Sequence, residues 1–196
     1  MIAFVRHAQT ELNREGRLQG RLDTPLSELG RVQAAALAET FAAEPVKRIV
    51  TSPLRRALET AVAIAEPHGL PVETDERLVE LDYGDWDGAA MSDVTPAQWS
   101  AWRTDPAFAP PGGEALLDVT ARVASFMADR ATPDLVVAVS HVSPIKAAVC
   151  CALGVDESVT WRMHLGVAAV SRVGFRDSGA PYLVSFNELS GPVTPV

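Results

Sequence analysis

The sequence predicts an α/β domain built on a mainly parallel sheet. Short apolar runs rich in β-branched residues alternate along the chain with longer segments of helical pattern, which is typical of this fold class. The clearest of these runs are apolar throughout, as expected for strands that are covered on both faces. Because domains commonly contain about 100–200 residues, the 196 residues with 47% apolar content predict one domain over residues 1–196.

The predicted strands and helices follow one another in a regular order. Ser27 is expected to be the N-cap of the first long helix, because a serine oxygen accepts a hydrogen bond from the free amides of a first turn. Pro53 is typical of a helix start for a related reason, since it has no amide that needs a partner. In chain order the predicted elements are a strand at 2–5, a helix after Ser27, a strand at 48–51, a helix opened by Ser52 and Pro53, a helix at about 114–130, a strand at 135–139, a helix beginning near Ser143 and Pro144, and a final strand pair in VAAVSRVGF and PYLVSFN.

Residues 84–113 interrupt this alternation. They contain three of the four tryptophans, several helix-breaking residues and little regular pattern. We therefore expect a small cap that leaves the sheet and forms one wall of a pocket. Trp86, Trp99 and Trp102 would then line a pocket for a bulky or ring-bearing substrate, or pack in the core, which is the more frequent use of tryptophan.

The charge balance argues against nucleic-acid binding. The net charge is −8, whereas proteins that bind nucleic acids need basic surface for phosphate contacts. The charge is also uneven, since residues 1–56 carry nine basic and six acidic side chains and the rest of the chain carries eight and nineteen. A basic N-terminal segment suits a pocket for a small anion, although a surface asymmetry without function would look the same.

The apolar pattern predicts a cytoplasmic protein that does not associate with membranes. No stretch approaches the roughly 18 apolar residues of a membrane span, and Arg6 and His7 stand where a signal peptide would carry its apolar stretch. Cys150 and Cys151 are neighbours in an apolar run, which predicts buried helix residues and no disulfide or zinc site. The final strand pair offers an edge at which a homodimer would form.

Three predicted strands end in side chains that suit phosphate chemistry. In open α/β sheets, ligands bind beyond the carboxyl ends of the parallel strands. The first strand runs into Arg6 and His7, the second precedes Arg55 and Arg56, and the third runs into His141. Guanidinium groups pair with phosphate oxygens, and a neutral imidazole can be a nucleophile. Taken singly, each residue has an ordinary structural explanation, but their convergence on one edge favours a phosphoryl site.

Five segments of the sequence carry a family resemblance. They are VRHAQTELN at 5–13, LQGRLDTPLSELGRVQA at 18–34, SPLRRALETA at 52–61, LVELDYGDWDG at 78–88 and VSHVSPIK at 139–146. In this order they resemble the histidine phosphatase superfamily, also called the phosphoglycerate mutase-like family. The resemblance implies a three-layer α/β/α sandwich with a mainly parallel sheet and a small cap insertion. It also implies a phosphatase that acts on small-molecule phosphate esters without cofactor or metal.

The resemblance implies a role for each matched residue. His7 resembles the nucleophile that carries the phosphoryl group, while Arg6, Arg56 and His141 resemble the residues that grip this group and stabilise its developing charge. Glu80 resembles the proton donor to the leaving oxygen, which later acts as the base for the attacking water. The residues that match positions contacting phosphate or substrate are Asn13, Gln19, Gly20 and Val142.

Some details of the expected site remain open at this point. Ala8 and Val142 stand where the family commonly has glycine, and each adds a Cβ near backbone that approaches phosphate, so we expect a reshaped pocket that still functions. The helix that follows His141 is expected to offer free amides to an anion. The proton donor could also be one of three aspartates near Glu80, which are Asp82, Asp85 and Asp87.

The sequence leaves two alternatives to a phosphatase. A cofactor-dependent phosphoglycerate mutase would share every catalytic residue, although such mutases typically have a longer chain and a larger insertion over the site. A non-catalytic binder of phosphorylated ligands is the second alternative, and the retained histidines, arginines and glutamate argue against it. Neither His68 nor His164 shows the spacing of a metal site, so no metal is expected, and Arg162 would reach the distal part of a substrate or form a surface ion pair.

Overall fold

A six-stranded sheet forms the centre of the molecule, whose structure is a computed structural model that describes residues 1–189. The final seven residues of the domain predicted over 1–196 lie outside the described part. The sheet order is β3-β2-β4-β1-β5-β6, in which β1 to β4 run parallel, β5 is antiparallel to β1, and β6 is antiparallel to β5. The strands are β1 (Ile2–Arg6), β2 (Val46–Thr51), β3 (Val72–Thr74), β4 (Leu135–Ser140), β5 (Ala169–Phe175) and β6 (Pro181–Leu189).

Helices cover both faces of this sheet. No helix within residues 1–189 is both long enough and apolar enough to span a membrane. Short 3-10 turns connect several of the elements, and the tetrapeptide helix α1 and the three-residue strand β3 are elements that the sequence pattern did not indicate. The helices are α1 (Glu11–Arg14), α2 (Glu28–Phe41), α3 (Arg55–Ala65), α4 (Pro96–Thr104), α5 (Leu116–Asp129) and α6 (Val142–Leu153).

The side chains of β1 divide between two apolar cores, as the period of two along a strand requires. Ile2 and Phe4 pack with the buried residues of α5 and α6. Ala3 and Val5 point to the opposite face and pack with those of α2 and α3. The expected three-layer α/β/α sandwich is therefore confirmed, and the carboxyl ends of β1 and β4 lie side by side in parallel register.

Two predicted helix starts have different outcomes. Ser27 caps α2 as expected, since its side chain accepts a hydrogen bond from the amide of Gly30 at 3.0 Å. The prediction that Ser52 and Pro53 open the next helix is corrected, because α3 begins at Arg55 and the chain before it is extended. The Ser52 hydroxyl accepts a hydrogen bond from the Leu54 amide at 3.3 Å and lies 2.8 Å from Nε2 of His141 across the sheet edge.

The segment 84–113 is more regular than its sequence pattern indicated. It contains α4, which begins with a capping box between Thr95 and Gln98 and carries proline at its first position. Both features stabilise a helix start. The expectation of little regular structure in this segment was therefore wrong, because it contains a helix. The helix places Trp102 in the core, where its ring lies 5.4 Å from that of Trp99 and 5.0 Å from that of Trp161.

Candidate active site

A cavity of about 520 Å³ opens at the carboxyl ends of β1 and β4. His141 and Arg56 are fully buried just behind its wall, where both lie against His7. Gly20 lies outside the wall. The sequence-predicted residues that line the cavity are Arg6, His7, Asn13, Gln19, Glu80 and Val142.

The backbone around His7 is held by neighbours on three sides. The His7 amide donates to the carbonyl of Ser140 at 2.9 Å, and the Ala168 amide donates to the His7 carbonyl at 3.3 Å. The next amide, that of Ala8, donates to the hydroxyl of Thr60 at 3.1 Å. The Ala8 side chain is buried in the core on the α2 and α3 face, so its Cβ lies away from the cavity.

The His7 ring is placed as a neutral base whose lone pair is on Nε2. Its Nδ1 atom lies 2.8 Å from the Ala8 carbonyl. A carbonyl oxygen can only accept, so Nδ1 carries the proton and the lone pair is on Nε2. Arg56 Nε lies 3.3 Å from this Nε2 atom and donates to it. Burial, followed by the charges of Arg56 and Arg6, lowers the pKa of His7 well below 6.5, so the imidazole is neutral at physiological pH.

Arg56 is oriented by three main-chain carbonyls. Its Nη1 atom donates to Leu22 at 2.7 Å, and its Nη2 atom donates to Gly20 at 2.8 Å and to Gln19 at 3.4 Å. Burial lowers the pKa of its guanidinium, but arginine remains charged at neutral pH. The result is a fixed cation at Nε2 of His7.

The loop that supplies these carbonyls is itself anchored by one carboxylate. Asp87 accepts hydrogen bonds from the amides of Gly20 at 2.7 Å, Arg21 at 2.8 Å and Leu22 at 2.9 Å. A Cβ at Gly20 would lie 2.8 Å from the Leu81 carbonyl, so the loop can approach Leu81 this closely only with glycine there. The amide and carbonyl of Gly20 are thus engaged by Asp87 and Arg56, and Gly20 does not line the cavity.

Among the buried side-chain nitrogens that have no hydrogen-bond partner within residues 1–189, two belong to residues beside His7. One is Nδ1 of His141, whose ring lies 5.1 Å from that of His7 and whose Nε2 contacts Ser52. The other is Nε of Arg6, whose Nη1 donates to the Leu165 carbonyl at 2.6 Å. Burial lowers the pKa of His141 well below 6.5 and that of Arg6 to about 10. Buried polar nitrogens are normally hydrogen-bonded, so these two atoms are suited to a bound anion.

Glu80 lies in the cavity wall at the start of α6. Its Oε1 atom accepts from the amides of Leu81 at 2.8 Å and Ser143 at 3.1 Å, and its Oε2 atom accepts from the Val142 amide at 3.1 Å. The expectation of free amides at this helix start is therefore corrected, since the carboxylate already occupies them. Oε2 accepts one bond and so retains more acceptor capacity than Oε1.

The three aspartates near Glu80 are placed differently. Asp82 accepts from the Gly84 amide at 2.9 Å, Asp85 is exposed, and Asp87 anchors the loop described above. None of the three lines the cavity, whereas Glu80 does. The geometry therefore favours Glu80 for any proton transfer in the cavity.

Asn13 and Gln19 are tied to each other through Thr10. The Thr10 amide donates to Asn13 Oδ1 at 3.1 Å, and the Thr10 hydroxyl donates to Gln19 Oε1 at 2.7 Å. The Gln19 amide nitrogen in turn donates to the Thr24 hydroxyl. Both side chains are thereby fixed in the cavity wall.

Sequence reasoning missed several residues of the wall, among them Tyr83, Lys146 and Trp161. Burial raises the pKa of Tyr83, so it presents a neutral phenol. Lys146 follows Val142 by four residues in α6, so helical periodicity could have placed both on one face. Arg162, for which a distal contact was considered, is exposed and is not part of the wall.

No group of three or more His, Cys, Asp or Glu side chains within residues 1–189 is arranged to hold a metal ion. The cations that approach His7 are instead the guanidinium groups of Arg6 and Arg56.

Comparison with known proteins identifies a family that matches nearly the whole chain and several sequence relatives. The profile described as the histidine phosphatase superfamily (branch 1) matches residues 2–189. The chain is 48% identical over 124 residues to a glucosyl-3-phosphoglycerate phosphatase of Mycolicibacterium vanbaalenii, a match that covers 62% of this chain and 55% of that protein. It is 40% identical over 177 residues to phosphoserine phosphatase 1 of Hydrogenobacter thermophilus, which covers 87% of this chain and 84% of that protein.

A solved structure agrees with the sequence comparison. The mycobacterial glucosyl-3-phosphoglycerate phosphatase in complex with VO3 superposes with a TM-score of 0.87 at 36% identity, covering 95% of this chain and 98% of that one. Among the sequence relatives, the matches to the glucosyl-3-phosphoglycerate phosphatases of M. vanbaalenii and Mycobacterium tuberculosis span only 55% and 59% of those proteins.

Proposed function

Because the chain belongs to the histidine phosphatase superfamily (branch 1), we propose that it is a phosphatase that hydrolyses phosphate monoesters of small metabolites through a phosphohistidine on His7. The observation that carries this proposal is the neutral His7 ring, whose Nε2 lone pair faces Arg56 Nε at 3.3 Å. The relatives support it, since those named above are phosphatases of glucosyl-3-phosphoglycerate and of phosphoserine.

In the proposed complex, the phosphoryl oxygens take hydrogen bonds from the cations around His7. Arg6 Nε and His141 Nδ1 have no other partner within residues 1–189, and Arg56 Nε exchanges its contact with His7 for one with an oxygen. Fixed donors of this kind stabilise the charge that spreads over the equatorial oxygens during phosphoryl transfer. Arg6 and Arg56 supply positive charge, so we expect no metal to be required.

In the first chemical step, His7 Nε2 attacks phosphorus and the ester P–O bond breaks. Glu80, which must be protonated in the substrate complex for this step, gives its proton to the leaving oxygen, because an alkoxide is a poor leaving group at neutral pH. The products of this step are the free alcohol and phosphohistidine, with Glu80 ionised.

In the second step, water attacks the phosphohistidine. Glu80 takes a proton from the water as the P–N bond breaks, and the lone pair returns to His7 Nε2. Inorganic phosphate leaves, and both Glu80 and His7 regain their starting protonation. Asn13, Gln19 and Val142 are proposed to contact the substrate from the wall, whereas Gly20 is proposed to act through Arg56.

The test is release of inorganic phosphate from a panel of phosphate monoesters that includes 3-phosphoglycerate, with its conversion to 2-phosphoglycerate followed in parallel. The His7→Ala variant, purified in the same way, measures any contaminating phosphatase. Phosphate release without isomerisation supports the proposal. Isomerisation without release would make the protein a mutase. If neither reaction occurs, the protein would be a binder of phosphorylated ligands.

A single domain over residues 1–196, a cytoplasmic location and a homodimer remain predictions. The homodimer would use β6, since it is an edge strand of the sheet and an unpaired edge can join another copy. A molar mass of one chain in solution would contradict the dimer.

A further inference from the structure

Ser52 is a buried residue that takes no part in the two chemical steps. It directly follows β2, and His141 directly follows the neighbouring parallel strand β4. The Ser52 amide donates to the carbonyl of Val139 at 2.9 Å, which holds its main chain against β4. Both Ser52 and His141 are fully buried, and the Ser52 hydroxyl oxygen lies 2.8 Å from Nε2 of His141. The two side chains therefore share one hydrogen bond at the edge of the sheet.

The direction of this hydrogen bond depends on the tautomer of His141. Burial, followed by the charge of Arg56, lowers the pKa of His141 well below 6.5, so the ring is neutral at physiological pH. A neutral imidazole has one N–H donor and one lone pair. Nε2 can accept the Ser52 proton, with the ring proton on Nδ1, or it can donate to the Ser52 oxygen, with the lone pair on Nδ1.

The surroundings of the Ser52 hydroxyl favour the first arrangement. Its oxygen already accepts the Leu54 amide at 3.3 Å. In the part of the chain that the structure describes, the only other hydrogen bond of this hydroxyl is the one with His141. If Nε2 of His141 were also a donor, the buried Ser52 proton would have no acceptor among residues 1–189, which is unfavourable in a protein interior.

The opposite side of the ring favours the same arrangement. Nδ1 of His141 is buried without a hydrogen-bond partner in residues 1–189, and the ring lies 5.1 Å from that of His7. A protonated Nδ1 can donate to a phosphoryl oxygen, whereas a lone pair there would repel the anion. Resting on the phosphatase function proposed above, we propose that Ser52 is a positioning residue that donates its proton to His141 Nε2 and thereby keeps Nδ1 as a donor to the phosphoryl group.

The two histidines then meet the phosphoryl group with opposite atoms of the same tautomer. In His7, the Ala8 carbonyl accepts the Nδ1 proton, so Nε2 presents a lone pair to phosphorus. In His141, the Ser52 hydroxyl occupies the Nε2 lone pair, so Nδ1 presents a proton to an oxygen. The hydrogen bond at one ring nitrogen sets the role of the other. One ring is thus a nucleophile and the other a hydrogen-bond donor, without a charge on either.

The tautomer of His141 can be measured by NMR of protein that carries ¹⁵N-labelled histidine. The chain has four histidines, and the ring signals that disappear in His141→Gln are those of His141. At neutral pH the wild-type protein is expected to show a proton on Nδ1 of His141 and none on Nε2. A proton on Nε2 would overturn the proposal, whether or not any Ser52 variant folds.

Replacement of the hydroxyl tests whether Ser52 sets this tautomer. Ser52→Ala should move part of the His141 population to the Nε2–H form. We expect kcat/KM for a phosphate monoester to fall by about tenfold to a hundredfold, the effect of one weakened hydrogen bond to a charged group. Binding of inorganic phosphate, measured by calorimetry, should also weaken. Ser52→Thr keeps the hydroxyl and should restore the Nδ1 proton and most of the activity.

Ser171→Ala provides a matched control. Ser171 is also fully buried, and its hydroxyl accepts the Asn187 amide at 3.2 Å. The control variant therefore also loses a hydrogen bond between a buried hydroxyl and a main-chain amide. Ser171 lies in β5 opposite Phe4 and does not line the cavity. Ser171→Ala should leave the His141 tautomer, phosphate binding and kcat/KM unchanged.

The comparison of the two variants decides the role of Ser52. A Ser52→Ala protein that retains the Nδ1 proton on His141, or that loses no more activity than Ser171→Ala, would overturn the proposal. Absence of hydrolysis by the wild-type protein would count against the phosphatase function alone, because the NMR and phosphate-binding measurements do not depend on turnover.

Discussion

Asp87 is predicted to control the catalytic arginine although it does not line the cavity. Its carboxylate accepts the amides of Gly20, Arg21 and Leu22 at 2.7–2.9 Å. The carbonyls of Gly20 and Leu22 in turn accept the guanidinium of Arg56. Asp87→Asn should therefore loosen Arg56 at its contact with His7.

The size of the effect follows from the bonds that asparagine can keep. In its best orientation, the asparagine oxygen still accepts from Arg21 and Leu22, while its NH2 group faces the Gly20 amide. One charge-assisted bond, of about 1.5–3 kcal/mol, is lost, and the remaining two weaken because the acceptor is no longer ionised. We expect a loss of about 2–3 kcal/mol in the free energy of unfolding. We also expect kcat/KM to fall by about tenfold to a hundredfold, the effect of roughly 1.4–2.8 kcal/mol on the barrier.

The assay is phosphate release at several substrate concentrations, together with urea unfolding of the same preparations. Asp85→Asn is the control, because Asp85 lies two residues away, is exposed, and its carboxylate accepts no hydrogen bond within residues 1–189. The double variant Asp87→Asn, Arg56→Lys should lose little more activity than Arg56→Lys, since both changes act on one contact. Reduced stability with unchanged kcat/KM would refute the link to Arg56.

Three further predictions concern packing, pH and metal. Gly30→Ala should reduce stability by about 1–3 kcal/mol in thermal unfolding, because its Cβ would lie 2.0 Å from the Gln9 carbonyl; an unchanged midpoint would contradict this contact. Since the pKa values of His7 and His141 are lowered from 6.5, the acid limb of kcat/KM should lie below pH 6.5. As the pH falls, the histidines of the unfolded chain bind protons before those of the folded protein, so the free energy of unfolding should fall below pH 6.5. An acid limb of kcat/KM at or above pH 6.5 would refute the assignment of neutral histidines. EDTA should leave activity unchanged, and a loss that a divalent metal restores would show that the site had been misread.

The part of the site nearest the sheet could be predicted because ligands bind beyond the carboxyl ends of parallel strands, and these strand ends can be located in the sequence. The residues at the carboxyl ends of β1 and β4 are read directly from apolar runs, and the parallel register of these strands brings His7 and His141 together. The cap helix α4 could also have been found, since its capping box and first-position proline are local signals.

The remaining features depend on contacts between distant segments. The bond between Gly20 and Asp87 joins residues 67 positions apart, and no local pattern reveals that the Gly20 amide is already engaged. The amides at the start of α6 looked free in sequence because their acceptor, Glu80, comes from a segment 62 positions earlier. Lys146 was overlooked for a related reason, since a lysine in a helix is usually a solvated surface residue.

The most direct test of the proposed mechanism is to find where the phosphoryl group resides during turnover. The enzyme is mixed rapidly with a phosphate monoester that it hydrolyses, quenched in base to preserve phosphohistidine, digested and analysed by tandem mass spectrometry. The mechanism predicts a phosphoryl group on His7 that forms at least as fast as steady-state turnover and is absent from His7→Ala. Phosphorylation of another residue, or full phosphatase activity in His7→Ala, would contradict it.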